Sequence, residues 1–195
     1  FLCFVFSIFK QSLAHELNKD EINLFIKNFI LDNPKVIEKT LQNLNSERSK
    51  QNFESAMTEL RKISNPKLKN ANSNITIYEF FDYNCGYCKS VLPTLLNVVK
   101  KDKNTKLIFK EFPILSETSL EAALYALAAQ KQNLYFEFHT RIMEYRGRLN
   151  NDVFIKVAED IGLDIKKLKN DLDDKNIRIA IEKNRLIAKG FNING

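Results

Sequence analysis

Apolar positions recur along this chain with two periods, and the change of period divides it. Between residues 19 and 64 the spacing is helical. Ile22, Phe25, Ile26, Phe29 and Ile30 fall at i, i+3, i+4, i+7 and i+8, one stripe on a helix. Asn33-Pro34 follows, an N-cap with proline at the first helical position. A second helix then carries Val36, Ile37, Leu41 and Leu44. Polar residues from Asn45 to Asn52 interrupt its stripe, which resumes at Phe53, Met57 and Leu60 and ends at Asn65-Pro66. An interrupted stripe fits a helical hairpin packed on a main domain or an exposed arm for oligomerisation. Residues 67–74 are polar and read as a loop.

The period then shortens. Ile75-Thr76-Ile77-Tyr78-Glu79-Phe80-Phe81 is β-branched and aromatic, the pattern of a buried strand. Asp82-Tyr83-Asn84 reads as a turn. An amphipathic helix follows from Cys85 to about Lys100, with Val91, Leu92, Leu95, Val98 and Val99 on its apolar face. Lys106 to Phe112 is a second strand. Strand, helix and strand in about forty residues make a βαβ unit with a parallel pair and a right-handed crossover. From 116 to 190 the pattern is helical again. Leu120, Ala123, Leu124, Leu127 and Ala128 form one stripe. Val153, Phe154, Val157, Ala158 and Ile161 form another, stopped by Gly162. Ile177, Ala180, Ile181, Asn184 and Ile187 form a last one, stopped by Gly190.

Composition narrows the class. The chain has 195 residues, 44% hydrophobic and 28% charged, which suits a globular domain with a smaller appendage. Five glycines and four prolines are too few for an all-β fold of many tight turns. The net charge is +6, but the lysines are scattered among Asn, Asp and Glu. Without a basic run interleaved with aromatics, nucleic acid is not an expected partner. Phe1 to Phe9 is an apolar run too short to span a bilayer. Ser12 and Ala14 after it suit signal-peptidase cleavage, so residues 1–14 read as the remnant of a signal peptide. Bulky Leu2 argues against a lipoprotein reading of Cys3. Removal of the leader leaves only Cys85 and Cys88, in a compartment where disulfides persist.

Those two cysteines carry the chemistry. Cys85-Gly86-Tyr87-Cys88 stands directly after a strand and at the start of a helix. A helix start offers unpaired N–H groups and the positive end of the macrodipole. A thiolate at Cys85 is stabilised there and becomes a nucleophile at neutral pH. Cys88, one turn on, lies on the same face and within bonding reach. Gly86 lets the backbone bend and leaves the Cys85 sulfur accessible. A zinc site needs about four ligands, and His15 and His139 lack the spacing to complete one. Haem attachment needs His after Cys88, where Lys89 stands. A structural disulfide stays open beside redox chemistry. His139 reads as a packed or surface residue. Asp82 reads as a cap of the active-site helix or as turn chemistry.

Phe80-Phe81-Asp82-Tyr83-Asn84-Cys85-Gly86-Tyr87-Cys88-Lys89 resembles the active-site segment of the DsbA-like thiol–disulfide oxidoreductases of the thioredoxin superfamily. Glu111-Phe112-Pro113-Ile114-Leu115 resembles the end of their second strand, and 116–190 their inserted helical domain. The resemblance implies an α/β, thioredoxin-like fold over 74–195 with a helical insertion; the residues before it read, from their own spacing, as a helical arm over 15–66. It implies that Cys85 and Cys88 are catalytic and that Glu79 is the buried acid beneath them, accepting the proton of Cys88. Pro93 matches the proline inside the active-site helix. The family's cis-proline loop is expected where the chain stops, at Phe191 to Gly195, so the sequence reads as truncated at both ends. The resemblance further implies a periplasmic protein acting on thiol-containing exported proteins, with a membrane redox partner and no cofactor. Self-association through the N-terminal helices would suit a disulfide isomerase or reductase instead of an oxidase. A secreted binding protein with a structural disulfide is the reading from another class.

Overall fold

The computed structural model describes residues 18–63, 65–68 and 73–194. The leader and Cys3 lie outside the described residues. The chain divides into two compact units, 1–48 and 49–195.

The first unit contains α1 (Lys19–Asp32) and the beginning of α2 (Pro34–Lys62). Asn18 starts α1 with a capping box: its side chain accepts from the Asp20 and Glu21 N–H groups, and Glu21 reaches back to the Asn18 N–H. Asn33 works differently from the expectation. Its amide donates to the Phe29 carbonyl at 2.8 Å, so it closes α1 instead of capping α2. α1 buries none of its residues, and Phe25 is 69% exposed. The polar stretch from Asn45 to Asn52 does not break α2, which runs unbroken to Lys62.

The second unit is built on a three-stranded sheet of order β1-β3-β2. β2 (Ile75–Phe81) and β3 (Thr105–Glu111) are parallel, in register from Ile75↔Thr105 to Phe81↔Glu111. α3 (Gly86–Lys101) connects them, which completes the βαβ unit. β1 (Lys67–Leu68) pairs antiparallel with β3. It falls in the segment read as a loop, and two residues are too few to show alternation.

The period of two sorts the sheet's residues between two apolar clusters. Phe81, Leu107 and Phe109 face the main core, with Leu92 and Val99 of α3. Tyr78 and Phe80 face a smaller cluster around Ala56, Leu60 and Ile187. The helical insertion is α4 (Glu117–Gln130), α5 (Tyr135–Glu144), α6 (Asn151–Asp160), α7 (Ile165–Asp171) and α8 (Lys175–Gly190). α4 is its axle. Residues 122 to 129 are all buried because α5, α6, α7 and α8 each pack against it. Five of those eight are alanine, which lets the neighbours approach on every side.

Gly162 ends its helix in the left-handed conformation, at φ +81°. Gly190 does not. It is the last helical residue of α8, and a Cβ there would lie 2.6 Å from the Ala56 Cβ, so glycine allows α2 to pass close by. Asn192, at φ 57°, takes the left-handed turn, and the Ile193 N–H closes back on the Ala188 carbonyl.

Candidate redox site

The segment that carries the two cysteines is a turn between β2 and α3. The Cys85 N–H donates to the Asp82 carbonyl at 3.1 Å, which closes the turn around Tyr83 and Asn84. Cys85 is then the N-cap of α3, and its sulfur accepts from the Cys88 N–H at 3.3 Å. A sulfur in the capping position meets one of the helix's unpaired donors and the positive end of its dipole. Both cysteines are free thiols here and partly exposed. Gly86 needs no special backbone angle, and a Cβ on it would meet nothing within 4 Å. The bend expected of it is absent; what it leaves is open space at the cysteines. Tyr87 beside it is 88% exposed.

The two thiols are not alike. Burial pushes Cys88 up to about 12, helped by its hydrogen bond with Cys85 and by the negative character of Cys85 and Glu79. Glu79 and Cys88 line one shallow cleft of about 570 Å³, with Phe80, Tyr87 and Val91. Neither carboxylate oxygen of Glu79 has a hydrogen-bond partner, and burial lifts its carboxyl to about 7.

Asp82 and Asn84 are held from the side of α4, and Tyr83 from beneath. The Asp82 carboxylate does not cap α3. It accepts from the N–H groups of Asn84, Ile114 and Leu115 and from the Ser119 hydroxyl, so it ties the turn to the loop after β3 and to α4. The Asn84 amide donates to the hydroxyls of Ser116, Thr118 and Ser119. Tyr83 is 1% exposed and points beneath the site. Its hydroxyl lies 3.1 Å from Glu111 Oε1 and 3.1 Å from His139 Nδ1.

Glu111 is the functional candidate that the sequence reading passed over. It is buried, it takes a second hydrogen bond from the Tyr135 hydroxyl at 2.8 Å, and burial raises its carboxyl to about 8. The signal was alternation: Leu107 and Phe109 point inward, so 111 must too. His139 is fully buried among Phe81, Phe109 and Tyr135, and burial lowers it to about 3. It is a packed residue, neutral at physiological pH. Lys110, on the opposite face of β3, is covered by the protein and lies 5.8 Å from the centre of the Tyr78 ring.

Residues 76–195 match the DSBA-like thioredoxin domain family. A thioredoxin-like oxidoreductase from Silicibacter pomeroyi is 35% identical, with 67% of this chain and 75% of that one covered and a TM-score of 0.64. The thiol-disulfide exchange protein alpha-DsbA2 from Wolbachia pipientis is 26% identical, with 78% and 83% covered and a TM-score of 0.69. A curated relative, Na(+)/H(+) antiporter NhaA 1 of Salinispora arenicola, is 26% identical over 110 residues, 54% of this chain. The chain spans only 17% of that protein's length. The family match falls on the βαβ unit, the cysteine pair and the helical insertion together, and the chain belongs to the DSBA-like thioredoxin domain family of thiol–disulfide oxidoreductases.

Proposed function

We propose that this chain exchanges disulfides with exported, thiol-containing proteins through Cys85 and Cys88. The observation that carries the reading is the asymmetry of the pair: Cys85 caps α3 with its sulfur, while Cys88 sits in the cleft and is pushed up to about 12. In the oxidised form a substrate thiolate attacks the Cys85 sulfur. The Cys85–Cys88 bond breaks, a mixed disulfide forms, and Cys88 leaves with the electron pair and takes a proton. Glu79 is the proton donor in that step and the acceptor in its reverse, from the same cleft. A second substrate thiolate then attacks the substrate's own sulfur and releases Cys85 as thiolate. No cofactor enters these steps.

The test uses single variants of the whole chain. Cys85→Ser abolishes exchange with a reduced, unfolded substrate. Cys88→Ser still reacts and accumulates mixed disulfides, visible on non-reducing gels. Retained exchange in Cys85→Ser overturns the assignment and favours a structural disulfide.

The exported setting rests on the leader-like residues 1–14, on the cysteine usage and on a likeness to a periplasmic thioredoxin-like protein from Salmonella enterica serovar Typhimurium, 26% identical. Among the described residues no helix is long and apolar enough to cross a membrane. A membrane redox partner would return the pair to its working state.

One observation favours the isomerase reading over the oxidase. Leu24, Phe25, Phe29 and Leu31 of α1 are all exposed, an apolar surface that self-association would cover. Light scattering of the whole chain against one beginning at Ser49 decides it. That start keeps Ala56 and Leu60, which pack into the second unit. Two monomers would remove the support for an isomerase.

A further inference from the structure

Beneath the turn lies a sealed group of polar side chains that the exchange steps do not use. Glu111 Oε1 receives two hydroxyls, Tyr83 at 3.1 Å and Tyr135 at 2.8 Å. Tyr83 has one proton to give, and giving it to Glu111 leaves its oxygen as the acceptor for His139 Nδ1. The imidazole is then the Nδ1–H tautomer with a bare Nε2, and Nε2 has no partner. The donors and acceptors thus run in one direction: His139 to Tyr83, Tyr83 to Glu111, Tyr135 to Glu111. The Asn184 amide fixes Glu111 from behind by donating to its main-chain carbonyl at 3.2 Å. Each of these residues is 5% exposed or less, so water does not compete.

This group touches the redox site at one place. Tyr83 is the first inner residue of the turn that ends at Cys85, and its ring packs edge-on against Phe81 at 5.1 Å. The ring alone could be held by apolar contacts. The hydroxyl fixes how far the ring enters the core, and with it the main chain two residues before Cys85. Capping by the Cys85 sulfur depends on that placement, because a shift of the main chain at Tyr83 would carry the sulfur off its 3.3 Å contact with the Cys88 N–H.

We propose that Glu111 is a positioning residue for the redox pair, fixing the Tyr83 hydroxyl and through it the turn that brings Cys85 to the start of α3. The inference rests on the reading of Cys85 as the attacking thiol. It assigns Glu111 no contact with substrate and no proton to transfer. Asp82 and Glu79 are the other carboxyls nearby: Asp82 is engaged by its four donors, and Glu79 faces the cleft. The carboxyl of Glu111 is raised to about 8 by burial, so at pH 7 it is mostly the neutral acid, which an amide imitates.

The experiment measures alkylation of Cys85 by iodoacetamide at pH 7 in the Cys88→Ser background of the whole chain. Tyr83→Phe and Glu111→Leu are expected to slow it at least threefold, and Glu111→Gln to stay within twofold of the parent. Phe154→Leu, in the core of α6 and away from the turn, controls for general loosening and is expected to leave the rate within twofold. Where Glu111→Leu does not fold, Tyr83→Phe, which removes a single oxygen, decides alone. A fast parent rate that Tyr83→Phe leaves unmoved overturns this inference. So does an equal slowing in Phe154→Leu, which would make the effect one of packing. A parent Cys85 no faster than a cysteine in an unstructured peptide overturns the reading of the pair, and this inference with it.

Discussion

Glu79 and Glu111 occupy the same face of the β2–β3 ladder, diagonally across from one another, and their surroundings are opposite. In the register Glu79 stands beside Phe109, and Glu111 beside Phe81. Both carboxyls are raised by burial. Glu79 has no hydrogen-bond partner and opens on the cleft it shares with Cys88. Glu111 has two tyrosine hydroxyls on Oε1, an Oε2 without a partner, and no opening. A buried acid without partners costs stability, and one that opens on a cleft beside a thiol is the candidate for the proton transfer proposed above. A buried acid with partners is part of the fold's geometry. Burial and a raised carboxyl are common to both acids; access is what separates them.

The largest effect expected of the two acids is on stability against pH. Both carboxyls stand above their unfolded value of 4.5, at about 7 and about 8. Between 4.5 and those values the unfolded chain has released protons that the folded chain still holds. Stability is thus fully present below 4.5 and declines as pH rises through 7 and 8. His139 acts in the other sense: held at about 3 against 6.5, it costs stability as pH falls below 6.5. The net decline is steepest between about 6.5 and 7; from 4.5 to 8 the two acids together contribute roughly 8 kcal/mol to it, of which His139 offsets about 3 below 6.5. Urea midpoints of the reduced chain from pH 4 to 9 measure this. Glu79→Gln and Glu111→Gln should each remove part of the slope. A midpoint that rises from pH 6.5 to 8 contradicts the burial of both.

Replacement by leucine separates the acids more sharply. Glu111→Leu leaves the Tyr135 hydroxyl buried without an acceptor and leaves Tyr83 only His139 Nδ1, which must change tautomer to accept. A lost acceptor costs about 1–2 kcal/mol and a tautomer change less, so the variant should lose roughly 1–3 kcal/mol. Glu79→Leu strands nothing, since Glu79 has no partner, and should leave stability unchanged or raise it by up to about 1 kcal/mol. Denaturant unfolding at pH 7 checks both. Equal losses would mean that the two sites are built alike after all.

How far these sites could be read from the sequence depends on what each signal consists of. The βαβ unit was legible because it is local: β2 is the run Ile75–Phe81, and Cys85 caps the helix that follows. The nearby Asp82 was legible as a polar turn residue but not in its role, since Ile114, Leu115 and Ser119 are more than thirty positions away. Glu111 was hidden for the same reason. Its partners come from β2's turn and from α5, and no periodicity couples those segments. The stripes of α6 and α8 matched faces that are buried on one side. α4 has no such face, because four helices surround it, and a stripe read there understates its burial. Gly190 looked like a helix stop and is a contact with Ala56, a residue on another helix.

The smallest effect concerns kinetics and tests whether access gives Glu79 its role. Cys88 must lose its proton to attack a mixed disulfide at Cys85 from within. Burial holds its thiol up to about 12, so water at pH 7 removes that proton rarely. Part of the rise comes from Cys85, through its hydrogen bond and its negative character. That part vanishes once Cys85 is joined to a substrate and carries no charge, which brings Cys88 closer to the reach of a weak base. Glu79, at about 7 and in the same cleft, is such a base when ionised. Below pH 7 it is already protonated and cannot accept. Resolution of a mixed disulfide with glutathione by Cys88 should therefore rise with pH and level off above about 7. Glu79→Gln should slow it roughly 10- to 100-fold at pH 8, at or below the usual range for a general base because the shallow cleft admits water as a substitute. The variant's rate should keep rising beyond pH 8, following hydroxide instead of a carboxylate. Stopped-flow release of labelled glutathione from pH 5 to 9 gives both profiles. If Glu79→Gln keeps the levelling near 7, the inflection belongs to another group and Glu79 is structural. If Glu111→Gln loses it, the two acids have been assigned the wrong way round.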